Sequence, residues 1–269
     1  MPASYPGNGG TNLPGSAEPN YFDYLCDFPV GSRALRDNCQ DAQGRSDLTV
    51  SSPRLHHHDY VLDSAEDLVA QDGIEAVTIR ALTKVTGVSN GGIYRAFESR
   101  GGLLGRVWIR AERRFLDLLT SLVDEARDAP GSAPIDAVHA AAETSLLYPK
   151  MFPGSSACLM TVRRADVVSQ PMPPAVAEQL RALDNELAAV MAKLAENLWG
   201  RSDVSAVDLI ATCIIDLPKW IGLRGHQHGM PVVRNYLRAA VRSVLEVGPP
   251  PAEAGHELVA NGARCGGAA

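Results

Sequence analysis

Apolar side chains recur through the middle of the chain at the three-and-four spacing of helices that bury one face. Val61, Leu62, Ala65, Leu68 and Val69 mark one helix, and Ile79, Leu82 and Val85 a second. Leu103, Leu104, Val107 and Trp108 open a long one, which Phe115, Leu118, Leu119, Leu122 and Val123 continue until Ala129-Pro130-Gly131 breaks it. The same spacing predicts helices over about 134–148, 173–199, 203–224 and 231–247. Punctuation sets their limits. Pro134 suits a first helical turn, Pro149 and Pro153-Gly154 interrupt the chain, Gly200 ends a helix, and Ser202 or Asp203 can cap the next. Residues 154–172 carry the weakest pattern and are read as helix. No run of alternating β-branched residues occurs, so the fold class expected is all-α.

The ends lack this periodicity. Residues 1–53 and 248–269 are rich in small, polar and turn-forming residues, which predicts a disordered N-terminal arm and C-terminal tail. The rest divides into two helical domains, one at 54–100 and a longer one at 101–247.

The densest run of local signals lies between Thr78 and Phe97. Thr78 can cap Ile79-Arg80-Ala81-Leu82, and Gly87-Val88 ends that helix abruptly, glycine supplying the backbone a tight turn needs and valine a plug between helices. Ser89 is placed to cap the next helix, which turns Ile93 and Phe97 inward and leaves Asn90, Gly91, Gly92, Tyr94 and Arg95 outward or sideways. A short capped helix with a polar outer face fits a DNA major groove about 12 Å wide. Ser99-Arg100 opens the following helix, where free N–H groups and a guanidinium suit a phosphate.

This pattern resembles the DNA-binding domain of the TetR family of bacterial transcriptional regulators. Tyr60, Ala65, Leu68, Gly73, Thr78, Arg80, Leu82, Gly87, Val88, Ser89, Gly91, Tyr94, Phe97, Ser99 and Leu103 carry the likeness, with T-x-R-x-L-x4-G-V-S-x-G-x-x-Y-x-x-F as its core. The resemblance implies a three-helix DNA-binding domain joined to a helical ligand-binding and dimerisation domain. It also implies site roles: Thr78 and Tyr94 on phosphates, Arg80 at a phosphate or base edge, Ser89, Asn90, Gly91 and Gly92 against bases with Arg95 beside them, and Arg100 gripping the DNA backbone. Three departures stand out. Thr83 and Thr86 replace the usual alanines, Gly92 replaces a residue with a side chain to offer, and Gly101-Gly102 replace good helix formers. With Gly92 silent, Asn90 and Arg95 are the main candidates for base contact, since Asn pairs with adenine and Arg with guanine.

Charge agrees with a local rather than general affinity for nucleic acid. The formal net charge is −6, yet Pro53 to Arg114 holds nine Arg or Lys against eight Asp or Glu. His56-His57-His58 is expected just before the first helix, where it could help hold a phosphate. Consecutive residues cannot converge on one ion, and His226-Gln227-His228 is an equally weak metal pattern, so no metal or other cofactor is expected. The five cysteines form no C-x-x-C pair and read as free thiols in a reducing compartment. No apolar stretch approaches the roughly 18 residues of a membrane helix and no leader is evident at the start, which points to the cytoplasm. Nucleotide-binding, nucleophile-elbow and zinc-protease motifs are absent, so no enzyme is expected.

The partners expected are double-stranded DNA, a second copy of the chain and a small-molecule effector. A reading head of this size covers one half-site, and two heads about 34 Å apart make a specific operator contact. Leu209, Ile210, Cys213, Ile214, Leu217, Trp220 and Ile221, with Val232, Val233, Tyr236, Leu237, Ala240, Val241 and Val244, supply either a dimer interface or the core. An effector pocket is expected between helices of 115–225, with His139, Glu143, Tyr148, Met151, Phe152, Met160, Met191, Trp199 and Asp216 as possible contributors. The leading reading is a ligand-responsive repressor acting on a palindromic operator. The rival is a helical protein-interaction module with a helix-turn-helix-like fold and no ligand response.

Overall fold

The computed structural model describes residues 53–224 and 230–251. The arm, the tail beyond residue 251, three cysteines (Cys26, Cys39, Cys265) and the His226–His228 pattern lie outside the described residues. The described residues are all-helical, with no strand among them.

Eleven α-helices follow in order: α1 (Pro53–Asp72), α2 (Ile79–Thr86), α3 (Asn90–Phe97), α4 (Arg100–Asp128), α5 (Pro134–Met151), α6 (Pro153–Thr161), α7 (Arg164–Val168), α8 (Pro174–Trp199), α9 (Val204–Ala211), α10 (Leu217–Arg224) and α11 (Met230–Val247). A 3-10 turn (Ile74–Ala76) precedes α2, and a π turn (Thr212–Asp216) links α9 to α10. Gly87, Gly131 and Gly200 take positive φ and end helices where the sequence marks a stop.

Three expectations change. Pro149 does not interrupt the chain but lies inside α5, which runs on to Met151; Pro153 takes the first turn of α6 instead, where its missing N–H costs nothing. Residues 154–172 are helical only through α6 and α7, because Pro171 and Pro173 remove the amides that would extend α7. The His56–His58 triplet lies within α1 rather than before it, since Pro53 starts the helix earlier than the apolar period does.

The chain forms two compact units. The first holds residues up to Ser121 together with Thr144–Leu187, and the second Leu122–Glu143 with the chain from Ala188 onward. In the first, α1 packs on α6, and the core beneath α2 and α3 is built from Val61, Leu62, Ala65, Leu82, Ile93, Phe97, Leu103 and Leu104, all buried. Burying such side chains supplies about 1.5–3 kcal/mol each.

One buried carboxylate ties three of these helices together. Glu66 of α1 accepts bonds from Arg110 Nε (2.9 Å) and Arg114 Nη1 (3.3 Å) of α4 and from Ser155 Oγ (3.0 Å) of α6. A Cβ on Gly154 would stand 3.0 Å from Glu66 Cβ, so the close approach of α1 and α6 needs that glycine. Removing one partner from a buried pair of this kind costs about 3–5 kcal/mol, because the other charge stays buried alone.

The second unit contains the ends of α4 and α8, the start of α5, and α9–α11. Its core includes Ile210, Cys213, Ile214, Val233, Leu237 and Val241. Those residues, open to either role in the sequence, are therefore core.

Candidate nucleic-acid interface

The helix-turn-helix is fixed by its caps. Thr78 Oγ1 accepts from the Ala81 amide at 3.1 Å, and Ser89 Oγ accepts from the Gly92 amide at 3.1 Å, each satisfying a donor that a helix start leaves open. Between them Gly87 sits at φ +71°, its amide closing on Thr83 O at 2.9 Å. Ile93 and Phe97 anchor α3 with essentially no exposure, and His58 of α1 stacks on the Phe97 ring at 4.4 Å between centroids.

The threonines that depart from the family pattern are put to use. Thr86 Oγ1 donates to Leu82 O at 2.7 Å and accepts from the Val88 amide at 3.2 Å, bridging the turn. Thr83 Oγ1 donates to Asn90 Oδ1 at 2.7 Å, joining α2 to the first residue of α3. Neither link is visible from spacing alone.

With the inner face so held, the outer face carries Thr78, Arg80, Ser89, Asn90, Gly91, Tyr94 and Arg95, all exposed, with Gly92 half-buried. The structure thus brings eight of the nine expected site residues to one module. Gly91 has open space where a Cβ would stand, whereas a Cβ on Gly92 would meet Val88 Cγ1 at 3.0 Å and Ser89 Oγ at 3.3 Å. Gly92 is accounted for by packing, and Gly91 is free for close approach from outside. Lys84, one helical turn after Arg80 and also exposed, adds a cation that the sequence reading passed over; its signal was the i, i+4 spacing.

Arg100 stands apart from the other eight. Its Nε donates to Val77 O at 3.0 Å and its Nη2 to Ile74 O at 3.1 Å, with Gln170 Oε1 at 3.4 Å and Glu75 at 3.5 Å. The guanidinium closes the carbonyl ends of the 3-10 turn, so its donors point inward. The residue before it is likewise engaged, Ser99 Oγ accepting from the Gly102 amide and donating to Pro171 O. His58 is also turned to structure. Burial pushes its pKa down, Arg106 and Arg110 push the same way and Asp59 opposes, so the ring is held neutral against Phe97 rather than charged for a phosphate.

A second feature carried no sequence signal: Glu98 ends α3 at φ +65°, with its amide on Tyr94 O at 2.8 Å. A non-glycine residue there is strained by about 1–3 kcal/mol, and it stops α3 two turns after its cap.

Residues 61–107 match the sequence pattern of bacterial regulatory proteins of the tetR family. Over this segment the chain is of the TetR type. The matched span runs from the middle of α1 to the first turns of α4 and so contains the helix-turn-helix described above. Solved structures share the fold. A bacterial regulatory protein in the tetR family from Rhodococcus RHA1 is 17% identical, covers 74% of this chain and all of its own, and has a TM-score of 0.54. A protein of unknown function from Rhodococcus sp. RHA1 gives 0.54 at 16% identity over 78% of this chain and all of its own. A TetR transcriptional regulator from Legionella pneumophila gives 0.50 at 15% identity over 73% of this chain and 98% of its own. Comparison with curated proteins by sequence finds no match.

Among the described residues no group of three metal-ligating side chains comes together, and no helix is long and apolar enough to cross a membrane.

Proposed function

We propose that this chain is a TetR-family regulator that binds a palindromic operator as a homodimer, represses transcription there, and releases DNA when a small molecule binds. The observation that carries the reading is the exposed, polar and locally pre-organised face of α3: Asn90, Gly91, Tyr94 and Arg95 outward, over a helix capped by Ser89 and anchored by Ile93 and Phe97. Asn90 and Arg95 read bases, Thr78, Arg80 and Tyr94 hold phosphates, and Ser89-Gly92 approach the groove by backbone. Arg100 acts through the fold, because its donors are committed to Val77 and Ile74.

The dimer follows from half-site geometry, and the second unit offers material for it: Trp220, Val232 and Tyr236 of α10 and α11 are 44%, 40% and 56% exposed. Ligand release is a population shift between two spacings of the reading heads.

Selection of bound sequences from random DNA tests the reading. A two-fold symmetric consensus, with affinity that falls steeply as salt rises, is the expected result. An asymmetric or absent consensus overturns it.

A further inference from the structure

The second unit contains a cavity of about 300 Å³, at the small end of ligand sites, that the helix-turn-helix does not use. Its walls are the last turns of α4 (Leu122, Ala126), the Pro130–Ser132 loop, α5 and Arg238 of α11. Its polar groups are unevenly satisfied. Glu143 is already covered, by Arg234 Nε at 3.0 Å and by Arg238 Nε. Asp136 Oδ2 accepts from the Ala133 amide at 2.8 Å. His139, only 5% exposed, leaves its Nε2 without a partner, and the Nη groups of Arg238 have none among the described residues.

An unpartnered buried imidazole nitrogen beside a guanidinium edge is a cost in an empty site and a donor pair in a filled one. We propose that this cavity binds a small carboxylic acid, its carboxylate seated between Arg238 and His139 and its aliphatic body against Leu122, Ala126 and Ala140.

The charges that face His139 favour an anion over a cation. Arg238 and Arg242 of α11 act on the ring, Arg234 stands on Glu143, and Asp136 and Glu143 of α5 oppose them, so guanidinium groups outnumber carboxylates. The α4 wall brings only apolar side chains to the cavity. In the empty site burial first, then Arg238 and Arg242, push the His139 pKa down, against Asp136 and a bond to the Arg238 backbone. A bound carboxylate offsets the guanidinium field, so the ring takes up a proton and Nε2–H donates to the ligand. Binding therefore tightens as pH falls. Neutral apolar ligands leave Nε2 and the guanidinium unsatisfied and bind poorly. The site deepens the ligand response proposed above and rests on that reading for its biological consequence only.

Calorimetry on the full chain with hexanoate, and with hexanamide as its uncharged counterpart, tests the site. Hexanoate is expected to bind at least about tenfold more tightly than hexanamide, and more tightly at about pH 6 than at about pH 8. The His139 imidazole resonance, assigned through His139→Gln, should titrate at higher pH in the complex. Arg238→Lys keeps a charge on Glu143 but loses the forked donor edge, and should weaken hexanoate about tenfold or more with thermal unfolding little changed. Absence of saturable binding, equal affinity for acid and amide, or full binding by Arg238→Lys overturns the proposal. Hexanoate binding that leaves operator affinity unchanged supports the site and counts against the ligand-release reading instead.

Discussion

Thr83 Oγ1 lies 2.7 Å from Asn90 Oδ1 and donates to it across the turn of the helix-turn-helix. Both residues are at the surface, so the bond does little for stability; its effect is on orientation. It fixes which edge of the Asn90 amide is turned away, leaving the Nδ2 donors and the second lone pair of Oδ1 to face outward. α2 and α3 thus share one side-chain bond at Asn90, the residue proposed above to read bases.

Thr83→Val, which keeps the shape and removes the donor, should change unfolding free energy by less than about 1 kcal/mol. Discrimination between the selected operator and single-base variants should fall several-fold, with non-specific affinity unchanged. Titrations of the operator series by fluorescence anisotropy measure both. Unchanged discrimination would remove Asn90 from the reading set.

Gly91 and Gly92 are adjacent but should respond oppositely to alanine. A Cβ at 91 meets nothing within 4 Å, so Gly91→Ala should stabilise the free protein by up to about 1 kcal/mol through helix propensity. On the proposed reading the same methyl faces DNA, and operator affinity should drop. Gly92→Ala meets Val88 and Ser89 and should gain little stability. Thermal unfolding beside operator titration separates the two, and a Gly91→Ala protein that is both more stable and equally tight on DNA would sink the close-approach account.

Much of this module was legible because its signals are local. Thr78, Gly87 and Ser89 act within four residues of themselves, and Ile93 and Phe97 declare a buried face by spacing alone. What escaped was long-range. Arg100 looked like a phosphate ligand because nothing in its neighbourhood says that Val77 and Ile74 present carbonyls to it. His58 looked like a loop residue because its partner, Phe97, is on another helix. His139 and Glu143 were named as pocket candidates among nine, yet only folding showed that α11 brings Arg238 to them. Tyr148, from the same set, instead donates its hydroxyl to Ala111 O at 2.6 Å within the first unit.

Gly101 and Gly102 looked like lost helix propensity and are a docking surface. A Cβ on Gly101 would stand 2.3 Å from Pro171 O, and one on Gly102 would stand 2.2 Å from Phe97 O. Gly105 continues the same tight approach to Val176. Gly101→Ala should therefore destabilise, by about 1–3 kcal/mol from overpacking, where propensity alone predicts a gain. Urea unfolding gives the sign. A stabilised variant would show that the segment from Gln170 to Pro173 moves aside freely and does not depend on the glycine.

Glu112 provides a pH test inside the first unit. It is 2% exposed, accepts from Trp108 Nε1, and faces Arg164, whose stronger partner is Asp184. Burial raises its pKa from 4.5 to about 8, with Arg164 opposing, because a carboxylate there has one oxygen without a partner. A folded-state pKa above the unfolded one means that the folded chain holds a proton the unfolded chain has lost. The resulting stability is complete below the unfolded value, declines as pH rises through the interval, and is gone above about 8. Glu112→Gln keeps an acceptor for Trp108 and cannot ionise, so it should flatten this slope and make the variant relatively more stable at the alkaline end. Urea unfolding across that range checks it, and parallel slopes for the two proteins would show that Glu112 is ionised in the fold, its charge balanced by Arg164.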